Sequence, residues 1–338
     1  MKQLGRTLLW MVAALAILLV VGISFTIGWR PFIGPRARPL TARKFEATPQ
    51  RLERGQYLAN GVSGCVYCHT EHDFRKADEP LPASQRGGGN VLPYLGLPGR
   101  VVANNLTSDS QTGAGSWTDD QLARAIREGI GHDGRTLFPI MPYLRFRSMS
   151  DEDLASIVVY LRSLPPIHHE LPSTEIVFPV KYLIRNAPVP LQGAVAGPDP
   201  ADRMAYGKYL IAIGGCEDCH TPAHNGQAIP GMDFSGGFLL QVPGEPAAAA
   251  ANLTTDASGI GYYDEALFLQ AMRTGSVRGR KLSPLMPFAV YRNMSDDDLK
   301  AIFAYLRTAK AVHHRVDNSL PPTYCKLCQQ KHGAGDQN

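Results

Sequence analysis

Acidic side chains are missing from residues 1–44, which hold seven basic ones (Lys2, Arg6, Arg30, Arg36, Arg38, Arg43 and Lys44). The formal net charge of +4 therefore belongs to this end, and the remainder carries 27 basic against 30 acidic residues. A body without a basic excess excludes nucleic acid as a partner. Charge is scarce throughout, at 19% of residues, whereas 33 glycines and 26 prolines are many. Such a composition argues against long solvated helices and for long ordered loops. Alternating apolar and polar runs are also lacking, so half-buried strands are not expected. A length of 338 residues suits two domains better than one.

What is present begins with a single apolar run. Leu8 to Trp29 reads LLWMVAALAILLVVGISFTIGW, 22 residues without a charge. At about 1.5 Å per residue it spans about 33 Å as a helix, enough for a hydrocarbon core of about 30 Å. A cleaved signal peptide would have a shorter apolar region and a small-x-small cleavage site. Here Ile27, Gly28 and Trp29 make a poor cleavage site and an interfacial anchor. Residues 1–30 are read as an uncleaved transmembrane signal-anchor. Lys2 and Arg6 favour an inside N-terminus, Arg30, Arg36 and Arg38 the opposite, so charge alone does not set the orientation.

The rest is one unit written twice. GQYLANGVSGCVYCHT (55–70) matches GKYLIAIGGCEDCHT (207–221), and ANNLTSD (103–109) matches AANLTTD (250–256). FPIMPYLRFRSMSDEDLASIVVYLRSL (138–164) matches SPLMPFAVYRNMSDDDLKAIFAYLRTA (283–309). Repeats this long are duplicated domains. The expected division is 48–167, a linker at 168–199, 200–316, and a C-terminal tail at 317–338. The linker carries its own apolar run, FPVKYLI (178–184), expected to pack across both domains. Each repeat reads as helical. Ser150 with Asp153, and Ser295 with Asp298, open the last helices, whose apolar residues recur at i, i+3, i+4 and i+7. Thr118 and Gln121 form a further capping box, and a short helix with Tyr57 and Leu58, or Tyr209 and Leu210, precedes each cysteine motif.

CVYCH (65–69) and CEDCH (216–220) place two thiols and an imidazole on one turn. Two thiols at this spacing meet the two vinyl groups of a haem, and the next residue brings a nitrogen to its iron. Zinc would want a second Cys pair in each domain, and a thioredoxin-like dithiol would want a βαβ context; both are absent. Two covalently attached haem c groups are therefore expected. Their attachment takes place outside the cytoplasm, which fixes the body on that side of the membrane. For the sixth iron position the duplication offers Met141 in PIMPY and Met286 in PLMPF, each in a Pro-flanked loop. Met149 and Met294 are duplicated too, but they directly precede the capping serines, where a hydrophobic staple belongs. The assigned metal ligands are His69, Met141, His220 and Met286.

The order CxxCHT, GG, NLTxD, GR, MP and MSDEDLxxIxxYLRSLPP resembles class I cytochromes c, closest to the multihaem cytochrome subunits of periplasmic alcohol, gluconate and aldehyde dehydrogenases. The resemblance covers 48–167 and 200–316. It implies an all-α fold: two tandem class I cytochrome c domains after an N-terminal transmembrane helix, with first helices at Gly55 and Gly207 crossing the last ones. It implies Cys65, Cys68 and His69 at the first haem and Cys216, Cys219 and His220 at the second. It also sets Asn105, Asn252, Arg135 and Arg280 near the propionates, where arginine's fork suits carboxylates. Such subunits typically carry three haems against two here, and an N-terminal anchor is less usual among them.

The function implied is a membrane-anchored dihaem electron carrier. It sits in a bacterial inner membrane, single-pass with the haem domains periplasmic. It links a dehydrogenase, a quinol-oxidising complex or a terminal oxidase to the respiratory chain, with no catalytic residue of its own. The alternatives are a dihaem peroxidase-like enzyme with one open haem, and a sensing module in which haem is incidental. Three features stand outside this reading. His168–His169 and His313–His314 follow the last helices, where imidazole suits the negative end of a helix dipole, the other readings being a bis-histidine iron or a metal site. The NLT motifs are also glycosylation sequons. CKLCQQKH (325–332) lacks the adjacent histidine, so a disulfide between Cys325 and Cys328 is expected in an oxidising compartment. Its other reading, a half metal site C-x2-C-x3-H, would need a fourth ligand from elsewhere.

Overall fold

The computed structural model describes residues 2–76, 79–224 and 226–338. The apolar run forms α1 (Lys2–Phe25), whose apolar stretch is not buried and has a mean hydropathy of 2.7. By length and composition it can cross a membrane. The helix ends before Trp29. Gly28 turns at φ +69°, and the Trp29 indole N–H folds back to donate to Ser24 Oγ at 3.0 Å.

The remaining helices follow the duplication. After α2 (Arg30–Ile33), the first half contains α3 (Pro49–Tyr57), α4 (Cys65–Cys68), α5 (Asp119–Glu128), α6 (Tyr143–Phe146) and α7 (Asp151–Ser163). Helix α8 (Val180–Leu183) lies in the connection. The second half contains α9 (Arg203–Ile213), α10 (Cys216–His220), α11 (Glu265–Thr274), α12 (Phe288–Tyr291) and α13 (Asp296–Leu306). Thr118 and Gln121 form the full reciprocal capping box at α5. At α7 and α13 the serine oxygens accept from the Asp153 and Asp298 amides, but those carboxylates turn elsewhere.

Helix α3 packs on α7, and α9 on α13. Only glycine permits these approaches. A Cβ on Gly55 would sit 1.9 Å from the Ser156 carbonyl oxygen, and one on Gly207 would sit 2.1 Å from that of Ala301. The core they start is continuous between the halves, joining Leu58, Met149 and Leu154 to Leu210, Met294 and Leu299. Two reciprocal hydrogen bonds close it. The Tyr57 hydroxyl donates to Asp298 Oδ2, and the Tyr209 hydroxyl to Asp153 Oδ2, both at 2.6 Å. Each hydroxyl also accepts the amide of the capping serine, Ser295 at 3.0 Å and Ser150 at 3.1 Å.

The packed elements are helical, as expected, but the loops between them carry antiparallel ladders. Asn90–Val91 pairs with Val102–Ala103, and Leu239–Leu240 with Ala248–Ala249. Two-residue strands are too short to show an alternation, yet they satisfy backbone groups that long loops would otherwise leave unpaired. The connection departs from expectation. Its segment Glu175–Ile176 pairs with Gly99–Arg100, and α8 packs on α2. Thus 180–186 packs at the foot of α1, while Ile176 packs on an apolar cluster drawn from both halves.

Candidate haem-binding site

The two cysteine motifs have the same local construction. Gly64 and Gly215 precede them in left-handed conformations, φ +57° and +68°, which start α4 and α10 abruptly. One turn of helix then sets the two thiols on one side and the histidine at the end. His69 Nδ1 lies 2.6 Å from the Asn104 carbonyl, and His220 Nδ1 lies 2.7 Å from that of Ala251. A carbonyl can only accept, so Nδ1 carries the proton in both rings. Nε2 is left with its lone pair, the tautomer and orientation an iron ligand needs. The histidine carbonyls are held in turn by the Gly89 and Gly236 amides, at 2.9 and 2.7 Å.

Burial pushes Cys65 up to about 12, Cys68 up to about 11, and both Cys216 and Cys219 up to about 12. A dithiol oxidoreductase has a lowered thiol pKa, the opposite direction. Burial also lowers both histidines, keeping the imidazoles neutral.

A cavity of about 680 Å³ is lined by Cys65, Cys68, His69 and Met141. Its walls are largely apolar, with Leu122, Ile126, Phe138 and Ile157 among them. The donor set and the walls fit a haem: paired sulfurs and a nitrogen with a free lone pair on one cavity with a thioether, the rest excluding water. Cys219, Asp218 and Tyr291 of the second half line the same cavity, so both cysteine motifs meet at one space. His220, Cys216 and Met286 do not line it. The Met286 turn nevertheless repeats the Met141 turn. The Met141 and Met286 amides donate to Phe138 and Ser283 at 3.1 and 3.2 Å, and their carbonyls accept from Tyr143 and Phe288 at 2.7 Å. Met149 and Met294 are buried in the core and line no part of this cavity.

Asn105 lines both the apolar cavity and a polar one beside it, and both Asn105 and Asn252 brace the chain. Asn105 Nδ2 donates to the Ile167 carbonyl at 2.7 Å, and Asn252 Nδ2 to that of Val312 at 2.9 Å. Their Oδ1 atoms accept the Thr107 and Thr254 amides at 2.9 and 2.8 Å. Both residues are buried, which removes the sequons from any modifying surface. Arg135 stands where the apolar cavity meets the polar one, of about 650 Å³, which His169 and Thr112 also line. Arg280 lies exposed on a short strand and lines neither.

The sequence reading missed several residues that matter. Arg145, four residues past Met141, pairs with Glu217 and with Asp218 at 2.8 Å, tying the first half to the inner residues of CEDCH. The Tyr291 hydroxyl donates to the Gly214 carbonyl at 2.6 Å, fixing the approach to that motif. The histidine pairs are not helix caps, because α7 and α13 end at Ser163 and Leu306, well before them. The dipole's influence does not extend past the last turn. Instead His168 and His313 face Asp109 and Asp256 at the surface, while His314 is fully buried. The expected disulfide is likewise absent: Cys325 and Cys328 are free and buried.

No family model matches the chain. It is similar to the cytochrome c subunit of quinone alcohol dehydrogenase from Gluconobacter oxydans, 27% identical over 79% of this chain and 56% of that one. The gluconate 2-dehydrogenase cytochrome c subunit of Pantoea cypripedii is 29% identical over 79% of this chain and 61% of its own. A diheme c-type cytochrome of Cereibacter sphaeroides is 27% identical over 74% of this chain and 83% of its own. The chain thus spans little more than half the length of the two dehydrogenase subunits. Motif geometry and these similarities agree, and the chain is a homologue of dehydrogenase cytochrome c subunits and dihaem c-type cytochromes.

Proposed function

We propose that this chain is a membrane-anchored dihaem c-type cytochrome that passes electrons between a periplasmic or membrane redox partner and the respiratory chain. Residues 1–30 anchor it in a bacterial inner membrane. Residues 48–167 and 200–316 are class I cytochrome c domains facing the periplasm, joined by 168–199 and followed by the tail 317–338. Cys65 and Cys68 hold one haem c and Cys216 and Cys219 the other; His69 with Met141, and His220 with Met286, bind the irons. A dehydrogenase is the favoured partner because the relatives are named as dehydrogenase subunits.

The observation that carries this reading is the paired commitment of His69 and His220 Nδ1 to backbone carbonyls beside paired cysteines. Haem supplies a one-electron iron couple, whose potential thioether ligation raises. The chain's own residues do the rest. The Asn104 and Ala251 carbonyls orient the imidazoles, the apolar walls exclude water, Arg145 ties the second motif to the first half, and Tyr291 fixes the approach to that motif from within its own half. Because both motifs reach one cavity, haems held by them would be neighbours within the protein.

Intact mass of the purified full chain tests the reading. Two covalently attached haems are expected, with one lost in Cys65→Ala/Cys68→Ala and the other in Cys216→Ala/Cys219→Ala. A wild-type chain carrying fewer than two overturns it.

A further inference from the structure

The tail folds back as a knuckle. Pro322–Tyr324 pairs antiparallel with Lys331–Gly333, and the chain turns between them through Cys325, Cys328 and Gln329, the last at φ +58°. The Cys325 amide closes the turn on the Gln330 carbonyl at 2.8 Å. His332 projects from the returning strand, and His314 arrives from the segment after α13. The four side chains are at most 1% exposed, and their donor atoms all lie within 4.8 Å of one another.

Their chemistry is that of a ligand set. His314 Nδ1 lies 2.8 Å from the Ser235 carbonyl, and His332 Nδ1 lies 3.0 Å from that of Gly333. Both Nδ1 atoms are therefore the protonated ones, and both Nε2 lone pairs point inward, 3.2 Å apart. Two buried lone pairs at that distance repel unless a cation lies between them. Cys325 Sγ is 3.4 Å from His314 Nε2. Tetrahedral zinc, with bonds of about 2.0–2.1 Å to nitrogen and about 2.3 Å to sulfur, sets N···N at about 3.3 Å and N···S at about 3.6 Å. The observed separations are close to both. A disulfide would take up the sulfurs and leave two unpaired imidazoles in a dry site.

We propose that His314, Cys325, Cys328 and His332 form a closed structural site for one zinc ion, apart from both haem sites. On binding, the two thiols release their protons, and two thiolates neutralise the divalent ion in the buried site. Four protein ligands leave no open position, the hallmark of a structural rather than a catalytic centre. A haem cannot occupy the site, because donors this close leave no room for a porphyrin between them. The site fastens the tail to the second haem loop. Ser235 holds His314, the next amide, Gly236, donates to the His220 carbonyl, and a Cβ on Gly237 would meet His314 Cε1 at 2.6 Å. In the first half His169 repeats the backbone bond, to Gly88 at 2.9 Å, but faces the polar cavity.

Metal content and zinc-edge X-ray absorption of the detergent-solubilised full chain test this directly. One zinc per two haem irons is expected, with two sulfurs at about 2.3 Å and two nitrogens at about 2.0 Å. Cys325→Ser/Cys328→Ser should lose the zinc and open residues 317–338 to protease while keeping both haems. If that variant does not accumulate, the wild-type stoichiometry and absorption spectrum decide alone. No zinc with a mass lower by two hydrogens (a disulfide), a third iron, or zinc bound without sulfur would each overturn the proposal.

Discussion

The reciprocal tyrosine–aspartate bonds make an unequal prediction from a nearly symmetric structure. Tyr57→Phe removes a hydroxyl that donates to Asp298 at 2.6 Å and accepts the Ser295 amide at 3.0 Å. Tyr209→Phe removes the same pair of bonds to Asp153 and Ser150. A hydrogen bond to a charged group contributes about 1.5–3 kcal/mol. The Ser295 amide is exposed and can turn to water, so only Tyr209→Phe also leaves a buried donor, the Ser150 amide, unpaired. The two sites differ in what remains. Asp153 keeps the Arg54 guanidinium, whose Nε and Nη2 donate at 2.8 and 3.0 Å. At the matching place in the second half stands Tyr206, so among the described residues Asp298 has no such guanidinium donor. The Arg54 bonds offset the loss at Asp153 and leave the unpaired amide, so Tyr209→Phe should cost about 1.5 kcal/mol and Tyr57→Phe about 3 kcal/mol. With a urea slope of about 3 kcal/mol/M, the midpoints fall by about 0.5 and 1 M. Equal shifts would show that Arg54 does not offset the lost bond, and no shift that neither hydroxyl contributes; either outcome contradicts the prediction.

Three further outcomes follow from the same structure. Gly55→Ala and Gly207→Ala each drive a methyl into backbone across the helix crossing; each should cost at least about 1–3 kcal/mol and lower the yield of haem-loaded protein. Arg38→Ala strands the fully buried Asp120 that it binds through two bonds of 2.7 Å, and should cost about 3–5 kcal/mol in denaturant. Burial would raise the Asp120 carboxyl, but hydrogen bonds from Arg38 and the Thr41 amide outweigh it and hold it at about 2, below its ordinary 3.8. A depressed carboxyl stabilises the fold fully above its unfolded pKa, so this contribution should fade only as pH falls from about 4 to about 2 and be missing from the acid titration of Asp120→Asn.

Chemistry that needs neighbours in the chain was legible in the sequence. CVYCH and CEDCH could be read because thioether attachment and iron ligation use adjacent residues, and the caps at Thr118 and Ser150 could be read because they act over one turn. Contacts made across the chain were not. Tyr57 and Asp298 lie 241 positions apart and look, one at a time, like ordinary helix residues. The ladders at 90–103 and 239–249 are too short to leave a period. CKLCQQKH showed three ligands and no fourth, since His314 reaches the cluster only when the tail folds back. The duplication, which correctly paired the methionine turns, also misled: His314 and His169 hold equivalent backbone bonds but have different neighbours.

A redox titration of the purified full chain, followed by absorption and electron paramagnetic resonance, tests the proposed axial ligation of both irons. Two low-spin haems with sulfur ligation are expected. Met141→Ala should alter one and Met286→Ala the other, while Met149→Ala leaves both spectra unchanged. A resting high-spin haem that reacts with peroxide, or sulfur ligation that survives Met141→Ala and fails in Met149→Ala, would contradict it.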